Sequence, residues 1–204
     1  MGNRLFIFFS IILFYSCKAT NKNVAPAEYV LFIEDEQNDY KVILEAGAYI
    51  YTFQYKPSEY IALKEMEGLN DLDTVKYTNR LHALRNTVWF NVYVEAVNSN
   101  VNPVKNNLSG GMDEYNNRVA YFLNEARNSF TLYYGKDVMP QVGYNFENNY
   151  GLTPKDVMVI GFKIPDAQPK NDLTIEYDDK LFKNELLKVK ITKSQLLNIP
   201  TVIF

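Results

Sequence analysis

Two stretches with a strict two-residue period decide the fold of this chain: YIYTFQY (residues 49–55) and VWFNVYVE (residues 88–95). Tyrosine or phenylalanine occupies every odd position of the first stretch, and valine or phenylalanine occupies every even position of the second. Because successive side chains of a β-strand point to opposite faces, each stretch predicts a strand that buries one face. The chain is therefore expected to be built mainly from strands.

The same alternation returns in later segments, and shorter apolar runs extend the pattern. The additional predicted strands are residues 29–33, 41–44, 130–134, 158–164, 173–177 and 187–191. Asn, Asp, Gly and Pro separate these segments, as expected of tight connections. Short strands without regular strand–helix alternation predict a mainly β protein, and we expect residues 28–204 to form a single antiparallel β-sandwich domain.

One amphipathic helix is expected to be inserted between the strands, within residues 112–130. Its apolar side chains recur at helical spacing: Tyr115, Val119, Phe122, Leu123, Ala126 and Phe130. This stripe is expected to pack on an edge or an open end of the sandwich. The segment EYIALKEM (residues 59–66) fits a strand and a helix equally well, and the sequence leaves its structure open.

The composition of the 204-residue chain excludes several classes of function. A net charge of -3 gives no basic excess, so a nucleic-acid partner is not predicted. With one cysteine and one histidine, the chain cannot build a disulfide framework, a cysteine-based zinc site or a multi-histidine metal cage. No cofactor is predicted.

The amino-terminal segment MGNRLFIFFSIILFYSC (residues 1–17) has the layout of a secretory signal. Arg4 precedes an apolar run over residues 5–15 that is interrupted only by Ser10, and the chain turns polar after Cys17. A membrane-spanning helix needs about 20 apolar residues, so this run is too short to remain as an anchor helix. The segment resembles a bacterial lipoprotein signal, in which a peptidase frees the cysteine as a lipidated amino terminus.

This resemblance implies an address and a mode of attachment. Residues 1–16 would be the signal peptide, and residues 17–27 would be the lipidated Cys17 and its tether, which places a membrane-anchored lipoprotein in the bacterial cell envelope. Basic and neutral residues after Cys17 favour the outer membrane facing the periplasm. The membrane is then one partner, and lipidation removes the only thiol from catalysis. The alternative is an uncleaved anchor that ends in an ordinary cysteine.

A second resemblance lies in the carboxyl-terminal half of the chain. A strand ending in Phe162-Lys163-Ile164-Pro165 is followed by a strand of the Leu-x-Leu-x-Tyr type over residues 173–177. This succession is similar to the immunoglobulin-like domain of bacterial surface lipoproteins. It implies an immunoglobulin-like β-sandwich and carries over no catalytic residue, because such domains mostly bind partners or act as spacers.

A search for catalytic groups finds few combinations. His82 is the only imidazole, and Arg80 and Arg85 flank it, so we interpret it as a surface histidine. Acidic residues cluster in predicted turns: Glu34, Asp35, Glu36 and Asp39; Asp71 and Asp73; Asp178 and Asp179. Solvated turn acids explain these clusters, and calcium binding at the second or third cluster is the alternative.

The most suggestive recognition feature is PQVGYNFENNYG (residues 140–151), which is predicted to be a loop. The candidate contact residues are Tyr144, Asn145, Phe146, Asn148 and Tyr150. Aromatic rings and amides together suit the face of a sugar or a protein partner. The alternative is that the rings pack into the end of the sandwich.

The sequence thus predicts a non-enzymatic binding or structural module for an envelope protein or a glycan. A hydrolase of the glycosidase type, with paired carboxylates, is the alternative, and it would require two carboxyl groups about 5 to 10 Å apart in a cleft. A structural subunit of an envelope complex is a third possibility, and it would be marked by an exposed apolar patch or an unpaired sheet edge.

Overall fold

The computed structural model describes residues 22–69, 72–166 and 168–204, and its fold is mainly β. Two antiparallel sheets pack face to face as a β-sandwich, which confirms the predicted fold class. A short parallel pair joins β1 (Asn23–Val24) to β11 (Thr201–Val202) near the two ends of the described chain. The signal-like segment and Cys17 lie outside the described residues.

The larger sheet has five strands: β2 (Lys41–Ala46), β3 (Tyr49–Lys56), β4 (Thr87–Ala96), β7 (Gln141–Glu147) and β8 (Lys155–Lys163). Their order is β2-β3-β4-β8-β7, so β4 lies at the centre. The smaller sheet has four strands: β5 (Phe130–Tyr134), β6 (Asp137–Met139), β9 (Leu173–Tyr177) and β10 (Leu187–Ile191). Their order is β10-β9-β5-β6.

The strand register brings the predicted apolar faces together between the sheets. Phe53 of β3 lies opposite Val92 of β4, which lies opposite Met158 of β8. Tyr51 meets Tyr177 of the other sheet, with ring centroids 6.1 Å apart. All five side chains are at most 1% exposed. Each fully buried side chain of this size stabilises the fold by about 1.5–3 kcal/mol, so the alternation read from the sequence forms the core.

The structure contains five helices: α1 (Pro26–Glu34), α2 (Ser58–Lys64), α3 (Thr74–Leu84), α4 (Gly111–Asn124) and α5 (Lys193–Leu197). The helix that the sequence predicted is α4. Its Phe122 is fully buried and stacks on Phe146 of β7 with ring centroids 4.9 Å apart. The hydroxyl of Tyr144 donates to the carbonyl oxygen of Phe122 at 2.6 Å. The apolar stripe of α4 therefore packs against an edge strand of the sandwich, as expected.

Two predictions of secondary structure were wrong. Residues 29–33, predicted to be a strand, lie in α1, where Tyr29 and Ile33 are buried one helical turn apart. A five-residue apolar run is compatible with either element, and Pro26 in the first turn was the missed signal for a helix. Residues 141–147, predicted to be a loop, form the edge strand β7.

Three more helices were not predicted as such, and local caps account for two of them. The ambiguous segment 59–66 lies largely in α2. At the start of α3, the Asp73 side chain accepts hydrogen bonds from the amides of Val75 and Lys76 at 3.0 and 2.9 Å. At the start of α5, Thr192 and Gln195 form a capping box. Such caps satisfy amides that the first turn of a helix leaves unpaired, so they stabilise even short helices.

The folded part of the chain begins earlier than residue 28. Asn23 and Val24 form β1, and α1 begins at Pro26, both within the range that the sequence assigned to a tether. Val24 is buried because β1 pairs with β11 and lies beside α1. Within the described residues, regular secondary structure therefore begins at Asn23, five residues before the predicted start of the domain at residue 28.

A buried carboxylate fixes the connection between β4 and α4. Asp156 at the start of β8 is fully buried and accepts hydrogen bonds from the Asn102 side-chain amide and the Val104 backbone amide, both at 2.9 Å. Burial raises the pKa of Asp156 from its ordinary 3.8 to about 6, against the opposing effect of these two hydrogen bonds. The folded protein therefore holds a proton on Asp156 more tightly than the unfolded chain does.

Asp156→Asn is expected to flatten the pH dependence of stability between about pH 4 and pH 7. In the wild type, the folded state binds more protons across this range, so the free energy of unfolding falls as the pH rises, by about 3 kcal/mol in total. Asparagine does not ionise, and its amide can pair with the Asn102 side-chain oxygen, which has no partner among the described residues. Urea unfolding of both proteins across this range tests the effect, and a constant stability difference would contradict it.

Candidate functional site

A groove of about 800 Å³ crosses the face of the five-stranded sheet that points away from the core. Its size lies within the range of ligand-binding clefts. The residues that line it come from β2, β3, β4, β8, α2 and the segment 34–36: Glu34, Glu36, Lys41, Ile43, Ile50, Thr52, Gln54, Lys56, Tyr60, Lys64, Tyr93, Glu95 and Lys155. Alternate residues of β3 and β4 form its floor because their neighbours in the chain point into the core.

A chain of hydrogen bonds runs along the outer face of β3 and β4, partly in the groove and partly beside it. The ammonium of Lys56 donates to Oδ1 of Asn91 at 3.1 Å, and Nδ2 of Asn91 donates to the hydroxyl of Tyr93 at 3.0 Å. That hydroxyl donates to Oε1 of Gln54 at 3.2 Å. At the wall of the groove, Tyr60 of α2 donates to Oε1 of Glu34 at 2.7 Å. Each polar group thus holds the next in a fixed orientation.

Several residues of the groove floor, and Asn91 beside it, are buried although they lie on the outer face of a sheet. Thr52, Gln54 and Asn91 are only 5–7% exposed. The outer face of an antiparallel sheet is usually solvated, and buried polar groups are costly unless they are hydrogen-bonded. Walls from α2 and the neighbouring strands enclose these side chains. The result is a preorganised polar surface rather than an ordinary solvent face.

The charged residues of the groove pair with one another, with one exception. Glu34 lies 3.2 Å from Lys64, Glu36 lies 2.9 Å from Lys41, and Glu95 lies 2.8 Å from Lys155. Such exposed pairs contribute little to stability, about 0–1 kcal/mol each. As a result, each glutamate that lines the groove is paired with a lysine.

The exception is Lys56, whose ammonium bonds the neutral Asn91 and lies 5.8 Å from the centre of the Tyr60 ring. Among the residues that the structure describes, no carboxylate is in ion-pair contact with Lys56. Burial and the repulsion of Lys64 lower the pKa of Lys56 from its ordinary value, against the attraction of Glu147, Glu65 and Glu34. Lys56 is thus a partly buried cation whose charge has no direct counterion in this part of the chain.

Beyond Lys56 the outer face continues onto Trp89, the only tryptophan of the chain. Trp89 pairs in register with Lys56 on one side and with Gly161 on the other, and Gly161 pairs with Gly143 of β7. A Cβ atom added to Gly161 or Gly143 would approach the indole ring to 2.7 or 2.5 Å. The two glycines therefore leave the indole room to lie against the sheet. Its Nε1 donates to Oγ1 of Thr87 at 3.0 Å.

The pKa of Glu34, the groove carboxylate that bonds Tyr60, is lowered from its ordinary value. The acid of a glycosidase must hold its proton near neutral pH, so its pKa is raised. At Glu34, partial burial acts to raise the pKa, but hydrogen bonds from Tyr60 and Lys64 outweigh it and lower the pKa. Asp156, whose pKa is raised, is fully buried beneath a loop and does not line the groove.

The predicted contact residues 144–150 are not brought together on one surface. Tyr144 and Phe146 point inward from β7 and pack against α4. Asn145 is exposed on the outer face, in the row of β7, β8 and β4 that contains Asn91. Asn148 accepts from the amide of Tyr150 at 2.9 Å in the following turn, where the Tyr150 side chain is 70% exposed. Two of the predicted rings thus belong to the packing of the sandwich.

The other candidate groups lie apart from the groove. His82 is exposed in the last turn of α3. Asp179 is buried and accepts from the amide of Phe182 at 3.1 Å, from Asn184 at 3.0 Å and from the hydroxyl of Tyr51. Within residues 22–69, 72–166 and 168–204, no group of three or more potential metal-ligating His, Cys, Asp or Glu residues is found. Asp71 lies outside the described residues.

Of the residues that line the groove, the sequence analysis singled out only Glu34 and Glu36, as members of an acidic cluster. The signal for the groove was present in the polar positions of the two decisive strands, Gln54, Asn91 and Tyr93, which alternate with the core residues. Single strands do not reveal that helices will wall in their outer face. None of the helices within the described residues combines the length and the apolar character needed to cross a membrane.

Comparison with known proteins adds no functional assignment. No protein-family model matches the chain, and no curated protein sequence matches it. Among solved structures, the chain is similar to a DUF4426 family protein from Pseudomonas aeruginosa PAO1, with 9% sequence identity and a TM-score of 0.36. The similarity covers 76% of this chain and 94% of that protein.

Proposed function

We propose that this protein is a lipid-anchored bacterial envelope module that binds an envelope protein or a glycan without catalysing a reaction. The observation that carries the proposal is the groove over β3 and β4, with its enclosed, hydrogen-bonded polar floor. Polar groups held in fixed orientations lose little entropy when a ligand binds, which favours recognition. The ion pairing of all three groove glutamates supports binding over hydrolysis.

The short connection to the proposed anchor supports a function close to the membrane. Six peptide steps separate Cys17 from Asn23 in β1, and they span about 20 Å at most when fully extended. The wall of the groove at Glu34 is reached at the end of α1, the first helix of the domain. A lipid on Cys17 would therefore hold the groove near the membrane surface, and several acyl chains make such attachment effectively permanent.

Cys17→Ser is expected to release the full-length protein from the membrane fraction. Serine provides no thioether for a lipid, so the variant should appear in the aqueous phase of a detergent partition, with a mass that lacks the acyl chains. Membrane fractionation and intact-protein mass spectrometry measure both effects. If partition and mass are the same for the variant and the wild type, the lipoprotein hypothesis is wrong.

Crosslinking from the rim of the groove tests the binding function in the envelope. A photoreactive benzophenone amino acid at Lys64, which lies on the rim, is expected to crosslink an envelope protein or glycan in intact cells. The matched control is the same residue at Lys188, a similarly exposed lysine on the outer face of β10 in the opposite sheet. Adducts that are absent from both positions, or identical at both, would contradict binding through the groove.

A further inference from the structure

Trp89 provides a flat aromatic surface next to the groove. Because Gly161 and Gly143 lie beneath it, one face of the indole rests on the sheet, and the bond from Nε1 to Thr87 fixes the ring. The side chain is half-buried and takes no part in the core between the sheets. An aromatic ring held in this way presents rigid apolar area at low entropic cost.

The cross-strand neighbour of Trp89 is Lys56, the lysine of the groove without an ion-pair partner among the described residues. Partly burying an ammonium without a counterion is unfavourable. An anionic group of a ligand would relieve this cost, and the other three lysines of the groove already face glutamates. Lys56 is therefore the position in the groove where a single negative charge fits best.

The groups around this pair are neutral and suited to hydroxyl groups. Asn91 lies next to Trp89 on the outer face of β4, Gln54 lies opposite Asn91 on β3, and Asn145 lies two strands away in the same row. The hydroxyl of Tyr93 completes the set. The exposed amide of Asn145 can donate to and accept from sugar hydroxyls, whereas the buried amides of Gln54 and Asn91 bond Tyr93 and complete the support beneath the ligand.

We infer that the ligand of this face is an acidic glycan, with a sugar ring stacked on Trp89 and a carboxylate of the glycan bound by Lys56. The inference rests on the proposed binding function and specifies the class of its ligand. An acidic peptide would also supply a carboxylate. The flat indole near the exposed amide of Asn145 favours a sugar ring, since a ring can place its apolar face on Trp89 and its hydroxyls on that amide.

Titration of the purified full-length protein with defined oligosaccharides tests the inference. Tetragalacturonate is expected to bind and to change the fluorescence of Trp89, the only tryptophan. Its methyl ester and neutral maltotetraose are expected to bind at least about tenfold more weakly, because they carry no charge for Lys56. A tetraglutamate peptide that binds as tightly as tetragalacturonate would overturn the glycan assignment.

Single substitutions test the Lys56 and Trp89 contacts separately, and titration calorimetry measures the affinity for tetragalacturonate. Lys56→Met and Trp89→Leu are each expected to weaken tetragalacturonate binding by about tenfold or more, whereas Trp89→Phe keeps a ring and most of the affinity. Lys188→Met on the opposite sheet is the matched control and is expected to bind as the wild type does. Wild-type affinity of both Lys56→Met and Trp89→Leu would overturn the inference.

Two further outcomes are decisive. If Trp89→Leu fails to fold, the stacking contact is tested by the fluorescence of Trp89 in the wild-type protein. Saturable binding of tetragalacturonate with unchanged Trp89 fluorescence would overturn that contact. If tetragalacturonate does not bind at all, the inference fails. Crosslinking of a protein partner from Lys64 would in that case still support the proposed binding function, so the two failures are distinguishable.

Discussion

The register between β3 and β4 is the constraint on which the rest of the structure depends. Side chains alternate along a strand, so a register that buries Phe53 against Val92 must place Gln54 opposite Asn91 on the other face. A slip by one residue would expose the aromatic core and bury the amides. The burial of the large apolar side chains on one face therefore also fixes the positions of Gln54 and Asn91 on the other face.

The character of the outer face follows from what surrounds it. Tyr60 of α2 and the flanking strands enclose the amides of β3 and β4, and the amides are satisfied by one another and by tyrosine hydroxyls. The same sheet positions the Lys56 ammonium between the neutral amide of Asn91 and the ring of Tyr60. The fixed arrangement of the polar side chains in the groove is thus a consequence of the core on the opposite side of the sheet. The ligand-binding hypothesis rests on that arrangement.

The strands of the sandwich could be predicted from sequence because period-two burial is local and strong. The pattern of Tyr49, Tyr51, Phe53 and Tyr55 permits no other regular structure, and the spacing of α4 was equally clear. The run at residues 29–33 was too short to distinguish a helix from a strand, so α1 was missed. The edge strand β7 was hidden by Gly143 and by the asparagines that follow it.

The groove could be predicted less well than the fold because it is assembled from distant parts of the chain. Lys56 and Trp89 become neighbours only through strand pairing, and Gly161 supports Trp89 from β8. Residues 140–151 were predicted to be a recognition loop, but Tyr144 and Phe146 pack against α4. Aromatic and amide residues in one segment therefore did not predict a shared surface, because strand alternation sends their side chains to opposite faces.

The most direct measurement of the central claim is a lysine-reactivity footprint of the full-length protein in intact envelopes, compared with the purified protein. Acetylation followed by mass spectrometry reads each lysine separately and needs no substitution. Binding through the groove predicts protection of Lys41, Lys64 and Lys155, with unchanged reactivity of Lys188 and Lys190 on the outer face of β10 in the other sheet. Protection confined to the second set, or equal in both, would contradict the account.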